Sequence, residues 1–191
     1  MKYFTADLHL GHQKIINYCH RPFKTADEMD AQIFKNFSQI IKPGDTLYIL
    51  GDLSFDRGKG TAFLKLFKKD QVRFILGNHD EAFDRDYMKD YTKTCTEIKD
   101  IKAEGQKITL CHYPMRAWKG SSHNAWQLYG HCHGRMSGKG KQMDVGVDTH
   151  NYMPYSLDEI RTIMDTRDDN EDYMVEERVF DVEEKQMEFG K

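Results

Sequence analysis

No stretch of this chain approaches the roughly 18 consecutive apolar residues that a membrane-spanning helix requires. The opening residues, Met1-Lys2-Tyr3-Phe4-Thr5-Ala6-Asp7, meet polar side chains at once and lack the apolar run of a secretory leader. No membrane partner is expected, and the expected compartment is the cytoplasm. Cysteine is sparse: Cys19, Cys95, Cys111 and Cys132 form no Cys-x-x-Cys pair. A reducing compartment leaves them as small buried thiols, not a disulfide framework. Cys132 lies between two histidines, but on an extended segment its side chain would point away from both. Internal repeats and long linkers are also missing, which leaves 191 residues for one domain with a real core.

Strong charge of one sign is lacking in the body of the chain. Residues 167–191 hold ten acidic and four basic side chains, whereas the whole chain carries only −3. The remaining 1–166 is therefore mildly positive, which suits an anionic substrate. It falls well short of the basic character of a dedicated nucleic-acid binder. The acidic tail 167–191 either belongs to the same domain, with a strand around 175–182, or is partly disordered.

What is present is an alternation of strands and helices. Residues 2–6, 46–50 and 72–76 read as short strands, the second and third as buried apolar runs. Met29, Ile33, Phe34, Phe37, Ile40 and Ile41 form one stripe at helical spacing over 27–42, and Pro43-Gly44 ends it. A second helix is expected over 61–68. The later half resembles a hairpin, 96–103 and 107–112 around Glu104-Gly105-Gln106, followed by strands at 126–129 and 143–147. Ser156-Leu157-Asp158-Glu159 is a capping box that starts a last helix. This order of elements predicts an α/β domain with a mixed or double sheet.

Metal-ligand residue types recur where these strands end. Asp7-Leu8-His9-Leu10-Gly11-His12 follows the first, Gly51-Asp52 the second and Gly77-Asn78-His79-Asp80 the third. Cys111-His112 ends the hairpin and Gly130-His131-Cys132-His133 the next strand. Ligand sites in α/β sheets lie beyond the carboxyl ends of strands, so these loops can converge. Each block alone is weak, since a Gly-Asp at a strand end is usually a turn. Asp7 and His9, like His131 and His133, are two apart and face one side if extended. Carboxylate oxygen with imidazole nitrogen suits borderline divalent ions such as Mn, Fe, Zn, Co or Ni. The seven donors exceed one tetrahedral ion, so two ions are implied, with Asp52, alone on its loop, as the natural bridge. Such a pair, about 3.5–4 Å apart, lowers the pKa of a bound water and clamps an in-line displacement at phosphorus.

These blocks, in this order, resemble those of the calcineurin-like metallophosphoesterases, and the match spans residues 5 to about 148. The opening block and Pro114-Met115-Arg116-Ala117-Trp118 are similar to a small bacterial and phage branch of that family. The resemblance implies an αββα sandwich with a dinuclear site at the strand ends, and a catalytic domain over 1–166. It also implies that Asp7, His9 and His133 bind one metal, that Asp52 bridges, and that Asn78, His112 and His131 bind the other. His79 matches the family's non-ligand histidine, which contacts phosphate and helps protonate the leaving oxygen. Asp80 would orient His79 or cap the next segment. Because His9 is present, an enzyme is expected and not a metal-poor scaffold like the retromer subunit built on this fold.

The substrate is less legible. Arg116 can pair with a phosphate and Trp118 can stack on a base, the alternative being a surface arginine and a tryptophan that packs a loop. Arg135, Lys139 and Lys141 could rim the site, His12 could face its entrance, and Arg21-Pro22-Phe23 reads as a structural corner. The expected reaction is metal-dependent hydrolysis of a phosphomonoester or phosphodiester, a nucleotide or another small molecule. A nuclease or nucleotide pyrophosphatase is second, because the chain lacks room for a capping domain that would handle nucleic acid. A non-catalytic metal-binding scaffold is the alternative of another class. Mn is the favoured ion, and the oligomeric state is open.

Overall fold

Leu47 and Ile49 lie on one face of their strand and Tyr48 and Leu50 on the other, and all four are buried. A strand buried on both faces needs a layer on each side, and the computed structural model, which describes residues 1–170, supplies both. The first half contains β1 (Lys2–Thr5), α1 (Gln13–Tyr18), α2 (Ala26–Ile40), β2 (Thr46–Leu50), α3 (Arg57–Leu64) and β3 (Val72–Ile75). After it come α4 (Arg85–Met88), β4 (Thr94–Thr96), β5 (Ile98–Ala103) and β6 (Gln106–Cys111). The last elements are β7 (Trp126–Tyr129), β8 (Gln142–Asp144), β9 (Tyr155–Ser156) and α5 (Leu157–Met164).

They form two mixed sheets flanked by helices, with strand orders β4-β3-β2-β1-β9 and β5-β6-β7-β8. β1 to β4 are parallel and β9 closes that sheet antiparallel to β1. In the second sheet β5 pairs antiparallel with β6, while β6, β7 and β8 are parallel. One core cluster joins Leu47, Ile49, Val72 and Phe74 to Met29, Ile33 and Phe37 of α2 and Phe63 of α3. The other fills the space between the sheets with Phe4, Tyr48, Leu50 and Ile75 against Ile108, Leu110, Trp126 and Leu128, and takes Leu157, Ile160 and Met164 of α5. Among the described residues no helix is long and apolar enough to cross a membrane.

Several boundaries differ from the sequence reading. The second helix begins a turn earlier than 61, because Asp56 accepts the Lys59 N–H as an N-cap. Gly58 and Gly60 weaken its local signal, yet Gly60 is required where Phe83 packs against the helix. The expected strand 96–103 is two strands: Thr94–Thr96 pairs with β3, and Ile98–Ala103 pairs with β6 in the other sheet. The chain passes from sheet to sheet at Glu97. The capping box at Ser156 forms, with Ser156 and Glu159 bonded reciprocally. Residues 167–170 dock on the body: Asp169 accepts the Asn124 N–H, and Asn170 donates to the Ser121 and Arg116 carbonyls. The strand expected around 175–182 lies outside the described residues.

Phe37 is fully buried, its ring 5.2 Å from that of Phe63. Phe37→Ala is expected to cost about 3–5 kcal/mol, read as a lower urea midpoint at unchanged slope. A loss near zero would mean that this helix–sheet core does not pack as described.

Candidate metal centre

The loops that follow β1, β2, β3, β6 and β7 meet at one edge where the two sheets abut. Backbone bonds tie them together: Asp7 N–H to Gly51 O at 3.0 Å, His9 N–H to Asp52 O at 3.0 Å, and Gly130 N–H to His112 O at 2.9 Å. The seven residues expected as ligands gather there. Asp7, His9 and His133 offer donor atoms all within 4.8 Å of one another, as do Asp7, Asp52 and His112. Asn78 Oδ1 lies 3.0 Å from His112 Nε2 and 2.9 Å from His131 Nδ1. Asp52 reaches both sides, with Oδ2 3.5 Å from His9 Nε2 and Oδ1 3.5 Å from His112 Nε2. Asp7 belongs to both three-donor groups, so two carboxylates, not Asp52 alone, face the whole centre.

The chemistry of these atoms fits a cation. Asp7 Oδ2 and both ring nitrogens of His9 are buried without a hydrogen-bond partner, which is costly unless something positive meets them. His112 Nδ1 lies 2.7 Å from the Leu50 carbonyl. That carbonyl can only accept, so Nδ1 carries the proton of this contact and Nε2 is the nitrogen turned to the centre. Nε2 points at the carbonyl oxygen of Asn78. A metal ion between Nε2 and that oxygen would take both atoms as ligands. His133 repeats the pattern, its Nδ1 2.7 Å from Asp148 Oδ2 and its other nitrogen left for the centre.

The backbone is bent to make this convergence. Asp7, His9, Asp52, His131 and His133 all have φ between 50° and 68°. The expectation that 7–9 and 131–133 are extended is therefore wrong: these donors converge through left-handed turns, not by alternation along a strand. Each such residue costs about 1–3 kcal/mol, so the surroundings must hold them. Asp80 accepts three backbone N–H groups, from Gly77 at 2.7 Å, Asp52 at 2.8 Å and Leu53 at 3.0 Å. It neither orients His79 through its side chain nor caps the following turn; it fixes the Asp52 loop. Asp144 does the same beneath the His133 loop, accepting from Gly134 and Gly146 at 2.8 Å each. Gly51, at φ 87°, passes so close that an added Cβ would lie 2.5 Å from His112 Nδ1.

Arg21, read from sequence as a structural corner, is a central support. Its buried guanidinium binds Asp148 through two nitrogens at 2.8 and 2.7 Å, and donates to the Asp7 carbonyl at 2.8 Å and the Leu8 carbonyl at 3.0 Å. A chain Arg21–Asp148–His133 thus reaches the centre from behind. Burial pushes the Asp7 carboxyl well above its usual range and His9 well below. Burial opposes charge on His133 too, but its bonds to Asp148 and Cys19 and the nearby Asp7 charge lift it to about 10. Burial also works against Asp148, yet the His133 bond and the Arg21 charge hold it below the ordinary carboxylate value.

The remaining candidates separate clearly. His79 is exposed at the open side, its N–H on Asp52 Oδ1 at 3.0 Å and its ring 5.8 Å from that of His9. His12 lies beside it, ring 5.5 Å from His9. Arg116 is exposed. Trp118 is corrected: its indole is 7% exposed and donates to the Ala125 carbonyl at 2.9 Å, so it packs a loop and cannot stack on a substrate. Sequence reasoning missed Phe55 and Tyr113, exposed rings beside the site histidines. It also missed Asp144 and Asp148, although Asp144-Val145-Gly146-Val147-Asp148 places acids at a strand end as the other blocks do.

A double sheet whose strand ends gather buried carboxylates and histidines around a cation-sized centre defines a class of metal-binding α/β sandwiches. Within it, the chain belongs to the calcineurin-like phosphoesterases, whose family model matches residues 3–183. An uncharacterized protein of Methanocaldococcus jannaschii is 30% identical over 165 residues, covering 82% of this chain and 86% of its own. The gene 66 protein of Mycobacterium phage L5 is 27% identical over 179 residues, covering 76% of this chain and 86% of its own. A crystal structure from Aquifex aeolicus, described as a protein of unknown function, superposes with TM-score 0.69 at 26% identity. That alignment covers 85% of this chain and 98% of that one. The family's chemistry is metal-dependent phosphoester hydrolysis.

Two outcomes follow from the support behind His133. Asp148→Asn is expected to weaken metal binding about 10–100-fold, measured by calorimetric titration of metal-free protein, with secondary structure retained. The pKa of about 10 against an ordinary 6.5 means that the charged His133 stabilises the metal-free fold fully below pH 6.5, a contribution lost as pH rises toward 10. A metal on that ring displaces the proton, so uptake should release one and affinity should rise with pH. Calorimetry in buffers of different ionisation enthalpy reads this directly, and uptake without proton release would mean that His133 carries no proton for the metal to displace.

Proposed function

We propose that this chain is a dinuclear metal-dependent phosphoesterase acting on a small phosphate ester, with nucleotides among the candidate substrates. The observation that carries the reading is the two donor groups facing each other across Asp52, one of them bringing His112 Nε2 to 3.0 Å from Asn78 Oδ1. Asp7, His9 and His133 would hold one ion, Asn78, His112 and His131 the other, and Asp52 both. The mixed oxygen and nitrogen set favours Mn, with Fe, Zn, Co or Ni as alternatives. When bound, the ions supply charge neutralisation at the phosphoryl group and a water of lowered pKa.

The chain's own residues do the rest. Asp80 and Asp144 keep the donor loops in their bent conformations. His79 stands at the solvent side, its backbone N–H donating to Asp52, where its ring would pass a proton to a leaving oxygen. The buried positions of Asp7, His9 and His112 exclude water from behind the reacting group, while exposed Asn78 and His79 mark the side from which substrate enters.

Metal-free protein reconstituted with Mn²⁺ and assayed on a chromogenic phosphomonoester and a bis-aryl phosphodiester tests the reading. Turnover is expected only with metal, and the preferred ester separates monoesterase from diesterase. Asp52→Asn and His112→Ala should lose metal content and turnover together. His79→Ala should keep both metals and lose about 10²–10⁴-fold in rate. A chain that binds two metals and hydrolyses no ester, nucleotides and dinucleotides included, would be a scaffold.

A further inference from the structure

Phe55 stands out among the exposed apolar side chains. It is 49% exposed, yet its ring is 3.9 Å from that of His12 in a stacked arrangement. The same ring lies 4.9 Å from His79 and 5.6 Å from His9. Beyond His12 comes Tyr18, 58% exposed, its ring 6.4 Å away and edge-on. Three rings, Phe55, His12 and Tyr18, thus form a ledge that begins beside His79 and runs outward from the centre.

The ledge is held from behind. The Phe55 N–H donates to the Leu10 carbonyl at 2.9 Å, and Ser54 Oγ donates to the same carbonyl at 2.9 Å. Asp56 caps α3 directly after it. On the other side Gly11, next to His12, gives its N–H to Asp30 at 3.1 Å, and Asp30 pairs with Lys59 of α3 at 2.7 Å. One face of Phe55 is stacked on His12, and the 49% exposure of the residue leaves ring surface for a ligand without either segment moving. A rigid aromatic surface presents contact area at little entropic cost, and flat rings stack on it in offset geometry.

We propose that the Phe55–His12–Tyr18 ledge binds the leaving group of the substrate and selects esters whose alcohol carries a flat aromatic ring, an aryl or nucleoside group. The inference rests on the reading of His79 as the group facing the leaving oxygen. A ring borne on that oxygen is then carried past His79 onto Phe55, the next ring in line. Phe55 therefore sets which alcohol is accepted, while the metal ligands set the phosphoryl chemistry.

The test is competitive binding to Mn²⁺-loaded protein, followed by calorimetry and not by turnover alone. Phenylphosphonate is compared with methylphosphonate, and adenosine 5′-phosphate with ribose 5-phosphate, on wild type, Phe55→Ala, Phe55→Leu and Phe55→Tyr. Wild type should prefer the ring-bearing member of at least one pair by about tenfold, the size of one stacking contact. Phe55→Ala and Phe55→Leu should collapse that preference and Phe55→Tyr should keep it. A preference in the nucleoside pair alone identifies a base as the ring, and a preference in both identifies any flat ring. Equal affinities in wild type overturn the proposal. So does a Phe55→Ala protein that keeps the preference but loses kcat on every ester alike, because Phe55 would then only position His79. If no ester is turned over but the preference exists and depends on Phe55, the ledge stands and the hydrolase reading fails. Turnover without any ring preference gives the converse.

Discussion

A carboxylate with no exposed surface and an oxygen that meets no donor is the constraint on which the rest of this structure turns. Asp7 is that group. Its Oδ1 accepts the His131 N–H, its backbone N–H donates to the Gly51 carbonyl, and its own carbonyl accepts from Arg21. One residue therefore joins the loops after β1, β2 and β7 and leaves a single oxygen over. Removing a carboxylate from water without compensation costs several kcal/mol, and the upward push of burial on Asp7 is the same statement in protons. The fold accepts this cost at the one place where a cation would cancel it.

The bent backbone obeys the same logic. Among the described residues ten non-glycine positions have positive φ, and five of them carry donor side chains of the centre. A strand would have pointed His131 and His133 to one side but spaced about 7 Å apart along the chain. Left-handed turns fold both side chains toward one centre, His133 beside Asp7 and His9 and His131 beside Asn78. Asp80 and Asp144 hold those turns by taking backbone N–H groups that the bends leave without a ladder partner. In each sheet, then, a buried acid outside the converging donor set holds the turns from which those side chains project.

Residue type and position were legible in the sequence, and support was not. Gly51-Asp52, Gly77-Asn78 and Gly130-His131 announce themselves because a glycine and a donor follow an apolar run. The capping box at Ser156 and the stripe on α2 are equally local signals. Arg21 and Asp148 lie 127 residues apart and carry no motif, so only the three-dimensional structure joins them. The strand 94–96 was hidden for a related reason: its side chains continue the pattern of 98–103, and only pairing with β3 assigns it to the other sheet. The extended reading of 131–133 failed because φ is set by the loop's tertiary contacts and not by composition. Trp118 shows the opposite error, an aromatic near a ligand in sequence that is spent on packing.

Burial divides the centre into two halves with different duties. Asp7, His9 and His112 are almost wholly buried, and Asn78, His79, Phe55 and Tyr113 are exposed. The buried half sits on strand ends locked between two cores, where a small displacement would break several backbone bonds at once. The exposed half sits on loops, where a side chain can change without disturbing those bonds. Of the residues expected to hold metal, Asp7, His9 and His112 therefore lie in the part of the chain that the fold cannot vary, while Asn78 and His131 lie on exposed loops. The exposed rings, Phe55 among them, lie in the part that it can vary, so the proposed recognition of the alcohol rests on side chains outside the family's donor blocks.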